Sequence, residues 1–367
     1  MGVLRLYVSV LDSLGKRPML ATRSSLDKLA MGYGKFAYVG NRKVLGKFIR
    51  VQAKELQERL QKVSEAEIAS LAETNAGLAN VLQAIKRKQS HPKFDMAAEW
   101  FAQRRWETSS GIFPDFLLGL EQHSTFGNGA LLELKDSKGD AVASFNSTIP
   151  TRRKSLLEVN RISGSTMVSH AGSLFDYPLS TASDYLSRPR LCFYFIRTRS
   201  MDHQRVRIAL VEGSFYETLP KAQLLEKIWQ QLLETSGMPP SEQKPMVEFL
   251  GRLEQIDIAQ SREIDQASIR PRLRLMAEVH SDANLHAYPE IPPRTFNLIL
   301  KREPGYDEQW LAQEMKRDGI ENVHIVHSSA DTFIVLQSGN LEYQLRYRVI
   351  THKRNGEHIV LQYGLPR

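Results

Sequence analysis

Residues 111–138 read Gly-Ile-Phe-Pro-Asp-Phe-Leu-Leu-Gly-Leu-Glu-Gln-His-Ser-Thr-Phe-Gly-Asn-Gly-Ala-Leu-Leu-Glu-Leu-Lys-Asp-Ser-Lys. Asp115 follows Pro114 and opens the apolar run 116–118, so it sits at the mouth of a buried strand. An acid there is paired, ligates a metal, or is badly desolvated. Glu133 and Lys135 come later, behind Ala130-Leu-Leu. Strand alternation puts Glu133 and Lys135 on one face and Leu132 and Leu134 on the other. Two carboxylates and an ammonium then converge at neighbouring strand ends. That trio suits phosphodiester hydrolysis: the acids hold Mg²⁺, and the lysine orients the attacking water and helps it lose its proton. The bland alternative is a polar strand face with an ordinary Glu–Lys pair, and Asp115 capping a turn.

Working outward, residues 96–107 read as an amphipathic helix, with Asp95 as its cap. Strand-like runs lie at 115–120, 129–135, 141–145, 191–198 and 206–212. A Ser/Gly/Thr-rich stretch, 160–190, reads as a long loop. Helices are expected at 221–235 and 244–257, and another at 307–318, stopped by Gly319. Four strand-like runs follow it. At the other end, residues 3–10 (Val-Leu-Arg-Leu-Tyr-Val-Ser-Val) read as a strand, β-branched with partial alternation. From 53 to 89 a Leu/Ile seam from Leu56 to Ile85, with Asn75 at one step, predicts a helical hairpin that packs on the core or on a second subunit.

The order around the quoted stretch resembles the PD-(D/E)XK nuclease superfamily, whose signature is Pro-Asp, a variable spacer, then an acid, any residue and Lys on an apolar strand. Pro-Asp occurs once in the chain, at 114–115, and Glu-Leu-Lys at 133–135 completes the pattern. The resemblance implies that Asp115, Glu133 and Lys135 are catalytic and that Asp115 and Glu133 bind the metal. Glu99, or Glu107 in its place, would supply the acid that many members carry on the preceding helix. The short pattern also fits Asp136-Ser-Lys138, which reads as a turn before Gly139. The implied fold is α/β (α+β): a mixed central sheet flanked by helices, a restriction-endonuclease-like core over 91–290. A basic, helical N-terminal region (1–90) and a small C-terminal α/β domain (291–367), set off by the Pro-containing stretch 289–294, complete the chain.

The chain has 367 residues, 49 Lys and Arg against 41 Asp and Glu, and a formal charge of +8. The excess is local: residues 1–62 carry 13 basic and 4 acidic groups. Interleaved aromatics and the cluster Arg42, Lys43 and Lys47 make this segment a candidate for gripping DNA phosphates. Asn146, Arg152, Arg153 and Lys154, after the third strand, are further candidates. A single cysteine, Cys192, excludes an intramolecular disulfide and makes a cysteine zinc site untenable. No P-loop, nucleophile elbow or His-based metal spacing is present. No membrane-length apolar run or signal-peptide pattern occurs, so a cytoplasmic, soluble protein is expected.

Size, basicity and motif context are most similar to a type II restriction endonuclease. That resemblance implies Mg²⁺ as cofactor, double-stranded DNA as substrate and a homodimer matched to a palindromic site. A cognate DNA methyltransferase would act in the same system without a stable complex. A non-catalytic DNA-binding or phage-defence protein, or a repair or recombination nuclease, are the alternatives.

Overall fold

The computed structural model describes residues 3–24, 36–39, 63–87, 113–118, 130–142, 144–146, 150–155, 157–159, 187–200, 205–218, 221–253 and 276–366, with residues 26, 29, 60, 61 and 97. Its helices are α1 (Val3–Lys16), α2 (Leu20–Arg23), α3 (Glu65–Thr74), α4 (Ala76–Lys86), α5 (Lys221–Thr235), α6 (Pro240–Leu253) and α7 (Glu308–Arg317). Its strands are β1 (Phe36–Val39), β2 (Phe116–Leu118), β3 (Leu131–Lys138), β4 (Ser144–Asn146), β5 (Arg153–Lys154), β6 (Arg190–Arg199), β7 (Val206–Glu212), β8 (Met276–Glu278), β9 (Thr295–Lys301), β10 (His324–His327), β11 (Thr332–Ser338), β12 (Leu341–His352) and β13 (Gly356–Gly364).

The architecture is mixed α/β, an open mixed sheet flanked by helices. Its order is β1-β2-β3-β6-β7-β9-β13-β12-β11-β10, with β5 added beside β6 and β4–β8 forming a separate pair. β3–β6 and β7–β9 run parallel, and the other neighbours are antiparallel. The long buried strands β6, β7 and β9 read as near-continuous apolar runs because both sheet faces are covered there. β9 lies between β7 and β13, so the sheet runs unbroken across the Pro-containing stretch 289–294.

Residues 3–10 correct the sequence reading: they are the first turns of α1, not a strand. Val3, Leu4, Tyr7, Leu11 and Leu14 are all buried, a stripe of helical spacing. Tyr7 stacks on Phe296 with ring centroids 4.5 Å apart, and its hydroxyl donates to the Leu361 carbonyl at 3.1 Å. Burial at about 2 kcal/mol per large side chain outweighs the few tenths by which each β-branched residue disfavours a helix.

The 53–89 pattern breaks at Asn75, whose side chain accepts from the Leu78 amide at 3.1 Å and starts α4. Leu60, Leu78, Leu82 and Ile85 are buried in the core of this chain. The seam therefore has no free face for a second subunit at those positions. The expected helix 96–107 lies outside the described residues except for Ala97, which is buried. Most of the 160–190 stretch also lies outside them.

Candidate active site

β2 and β3 pair antiparallel, with Phe116 opposite Leu132, which brings Asp115 at the head of β2 beside Glu133 and Leu134 of β3. Asp115 Oδ2 accepts a hydrogen bond from the Leu134 amide at 2.8 Å. That bond fixes the carboxylate at the strand mouth. On β3, alternation does what the sequence requires. Glu133 and Lys135 share a face, and Lys135 Nζ donates to Glu133 Oε1 at 3.1 Å. Nζ also lies 5.6 Å from the centroid of the Phe145 ring, which covers it from β4.

Glu133 is the anomalous member. It is 6% exposed, and its second carboxylate oxygen, Oε2, is buried with no hydrogen-bond partner among the described residues. Burial, then the negative charge of Asp115, pushes its carboxyl up to about 8, against the pull of Lys135 and, more weakly, the Asp115 backbone amide. At neutral pH Glu133 is therefore largely protonated.

The competing acid, Asp136, lies in β3 and not in a turn, because the strand continues to Lys138 in register with β6. It points to the opposite face. There it pairs with Arg197, Oδ1 accepting from Nε at 3.0 Å. Arg197 is buried and also donates to the carbonyls of Ala21 and Ser24, tying the α2 segment to the sheet. Asp136 is thus a structural anchor.

The basic residues after β4 take different places. Arg152 donates to buried Glu212 at 2.6 Å and to Glu303. Lys154 is buried, donates to Thr151 Oγ1 at 2.8 Å and lies over the Phe113 ring. Neither is presented to a phosphate in this arrangement, because internal partners meet each head group. Arg153 is exposed. Glu99, Glu107, Arg42, Lys43, Lys47 and the Asn146 side chain lie outside the described residues.

Tyr194 of β6 was not singled out from sequence. It stands in register with Glu133 across the β3–β6 pair, buried, with a hydroxyl that has no hydrogen-bond partner among the described residues. Its ring meets Phe145 edge-on at 4.8 Å. The only sequence signal is its alternation inside Leu191-Cys-Phe-Tyr-Phe-Ile, and that becomes informative once the register is known. Half-buried Asp115 and Lys135 therefore border a buried corner of Glu133, Tyr194 and Phe145 that holds two oxygens without a partner among the described residues.

Among the described residues, no three His, Cys, Asp or Glu side chains gather closely enough to cage a metal ion. Asp115 and Glu133 supply two hard oxygen donors, a set that suits Mg²⁺ completed by water and substrate oxygens. No described helix is long and apolar enough to cross a membrane. No protein-family model, curated protein or solved structure matches the chain.

Proposed function

We propose that the chain is a Mg²⁺-dependent endonuclease of double-stranded DNA, with a restriction-endonuclease-like core built on β2, β3, β6 and β7 and the centre Asp115–Glu133–Lys135. The observation that carries the reading is Glu133: a buried carboxylate with one orphaned oxygen, beside a second acid and 3.1 Å from an ammonium. A solvated Glu–Lys pair would have neither the burial nor the orphan. Ionisable groups perturbed by burial and a like charge concentrate at functional sites.

In this reading Asp115 and Glu133 would hold Mg²⁺, which when bound would supply charge neutralisation at the scissile phosphate and the leaving oxygen. The Leu134 amide keeps Asp115 aimed at the site. Lys135 holds Glu133 through Oε1, and its ammonium would orient the attacking water and stabilise the negative charge that develops as that water passes its proton to solvent. Phe145 lies beside the lysine ammonium. Glu99 would complete the acid set.

A single centre hydrolyses one phosphodiester, so a homodimer with one centre on each strand would cut a palindromic site, in a restriction system with a cognate methyltransferase. The test is incubation of the protein with plasmid DNA and Mg²⁺. Discrete bands that vanish with chelator and with Glu133→Gln or Lys135→Ala support the proposal. Intact DNA that is only shifted in a gel refutes it and leaves a binding protein.

A further inference from the structure

A row of rings runs from the candidate site to the turn between β12 and β13. Phe145, beside Lys135, meets Tyr216 with centroids 5.0 Å apart, and Tyr216 meets Phe215 at 5.0 Å. Phe215 in turn meets two buried imidazoles edge-on, His352 at 4.9 Å and His358 at 5.2 Å. His352 ends β12 and folds its ring over the turn that follows. Its Nδ1 accepts from the amides of Arg354 at 3.2 Å and Asn355 at 3.0 Å. The neutral ring therefore carries its proton on Nε2, which is buried with no hydrogen-bond partner among the described residues. A second proton can enter only at Nδ1. There it removes the lone pair that holds the turn and sets one donor against two others.

That turn is tied to the segment after β7. The Asn355 side chain donates to the carbonyls of Phe215 at 2.8 Å and Glu217 at 3.1 Å, and Lys301 of β9 donates to the Asn355 carbonyl. The groups around His352 favour the neutral ring. Burial, then the charge of Arg354 in the turn, lowers it from the ordinary 6.5, and Lys301 adds to this against the opposing pull of Asp282. Asp282 is itself engaged by Lys353 and Arg354, each at 3.3 Å. On the remaining sides lie the Tyr288 ring, stacked at 6.0 Å, and the His358 ring of β13 at 6.2 Å. His358 Nδ1 donates to the Gly356 carbonyl at 3.1 Å, and burial pushes this ring down to about 3, so it stays neutral while His352 titrates.

We infer that His352 is an acid-released latch: its neutral ring closes the β12–β13 turn upon residues 213–217, and protonation opens that turn and frees the ring row ending beside Lys135. The latch needs nothing of the nuclease reading. Its sign follows from proton counts. The open turn returns His352 to its ordinary 6.5 while the closed turn holds it lower, so closure is complete above pH 6.5 and weakens as pH falls below it. Opening is favoured about tenfold more for each further pH unit, until the ring of the closed turn itself titrates.

Amide hydrogen exchange of the full chain tests it, read by mass spectrometry over residues 350–357 and divided by the rate of an unstructured peptide. In the wild type this corrected rate should rise at least about tenfold from about pH 8 to about pH 5, the scale of two lost hydrogen bonds. His352→Asn should stay protected at both, because its side-chain oxygen accepts the same two amides and does not titrate. His352→Ala should exchange fast at both. Equal pH dependence in the wild type and in folded His352→Asn overturns the proposal, as does a His352→Ala turn still protected at about pH 8. Should circular dichroism show His352→Asn misfolded, nitrogen NMR of histidine-labelled wild type decides, the His352 signal being the one missing from His352→Ala. An Nε2–H tautomer at about pH 8 supports the latch, and an Nδ1–H tautomer overturns it.

Discussion

Replacing Glu133 with Gln should stabilise the metal-free protein, and more so as pH rises. Gln keeps the shape and still accepts from Lys135, while its amide can replace the orphaned Oε2 with a donor facing the Asp115 carboxylate. The magnitude follows from the carboxyl. Folding raises Glu133 from an ordinary 4.5 to about 8. At about 1.4 kcal/mol per pH unit this caps the penalty for the ionised form at about 5 kcal/mol. Water entry and local relaxation lower the realised value, so about 1–4 kcal/mol is expected.

The sign comes from proton counts. Between pH 4.5 and about 8 the folded chain keeps a proton on Glu133 that the unfolded chain has released. The wild type therefore loses stability across that window as pH rises, and the loss levels off above it. Gln carries no such proton, and every other titrating group is common to both proteins. Urea or thermal unfolding in chelator at several pH values should show the gap between variant and wild type opening from pH 5 to 8. Mg²⁺ should then close it for the wild type alone, most strongly at the alkaline end, because binding releases the Glu133 proton. A gap that is flat with pH, or a variant less stable than the wild type at pH 8, would refute the account of a penalised buried carboxylate.

Asp115→Asn should fold nearly normally, since Asn can still accept from the Leu134 amide, yet abolish DNA cleavage. Asp115→Ala should add a stability loss of about 1–3 kcal/mol by orphaning that amide, read as a lowered denaturation midpoint. Arg197→Ala should cost about 1–3 kcal/mol, because it takes the buried donor from the carbonyls of Ala21 and Ser24, while Asp136 stays exposed beside Arg199, and it should leave any cleavage by the folded fraction unchanged. Replacing Arg42, Lys43 and Lys47 together with Gln should weaken binding to all duplexes alike and flatten the log–log salt slope by about 2–3, measured by fluorescence anisotropy.

What could be read from sequence was local. Glu133 and Lys135 are two residues apart in one strand, so alternation alone brings their heads together. Asp115 needed one further step, that the runs at 115–120 and 129–135 be neighbours. The rest depended on distant chain. α1 was misread because Val3, Val8 and Val10 suggest a strand, while the ring of Phe296 and the carbonyl of Leu361 settle it as a helix. Arg152 and Lys154 look available until Glu212, Glu303 and Thr151 are placed beside them. Tyr194 is one apolar-strand residue among several until the parallel register sets it against Glu133.

The site separates the catalytic reading from the bland one by opposite signs. An ordinary Glu–Lys pair on a strand face is solvated, each oxygen meets water or a donor, and removing its charge changes stability little. Glu133 has a buried orphan oxygen, a neighbouring acid and one lysine that satisfies half of it. A side chain kept for structure alone would be better as Gln or as an apolar residue, since leaving a carboxylate half-satisfied in the interior destabilises the fold. On the proposed function, the missing partner would arrive with the substrate as a cation. Variants at 133 that raise the stability of the apo protein should therefore be the ones that lose DNA cleavage, and a purely structural role predicts no such opposition.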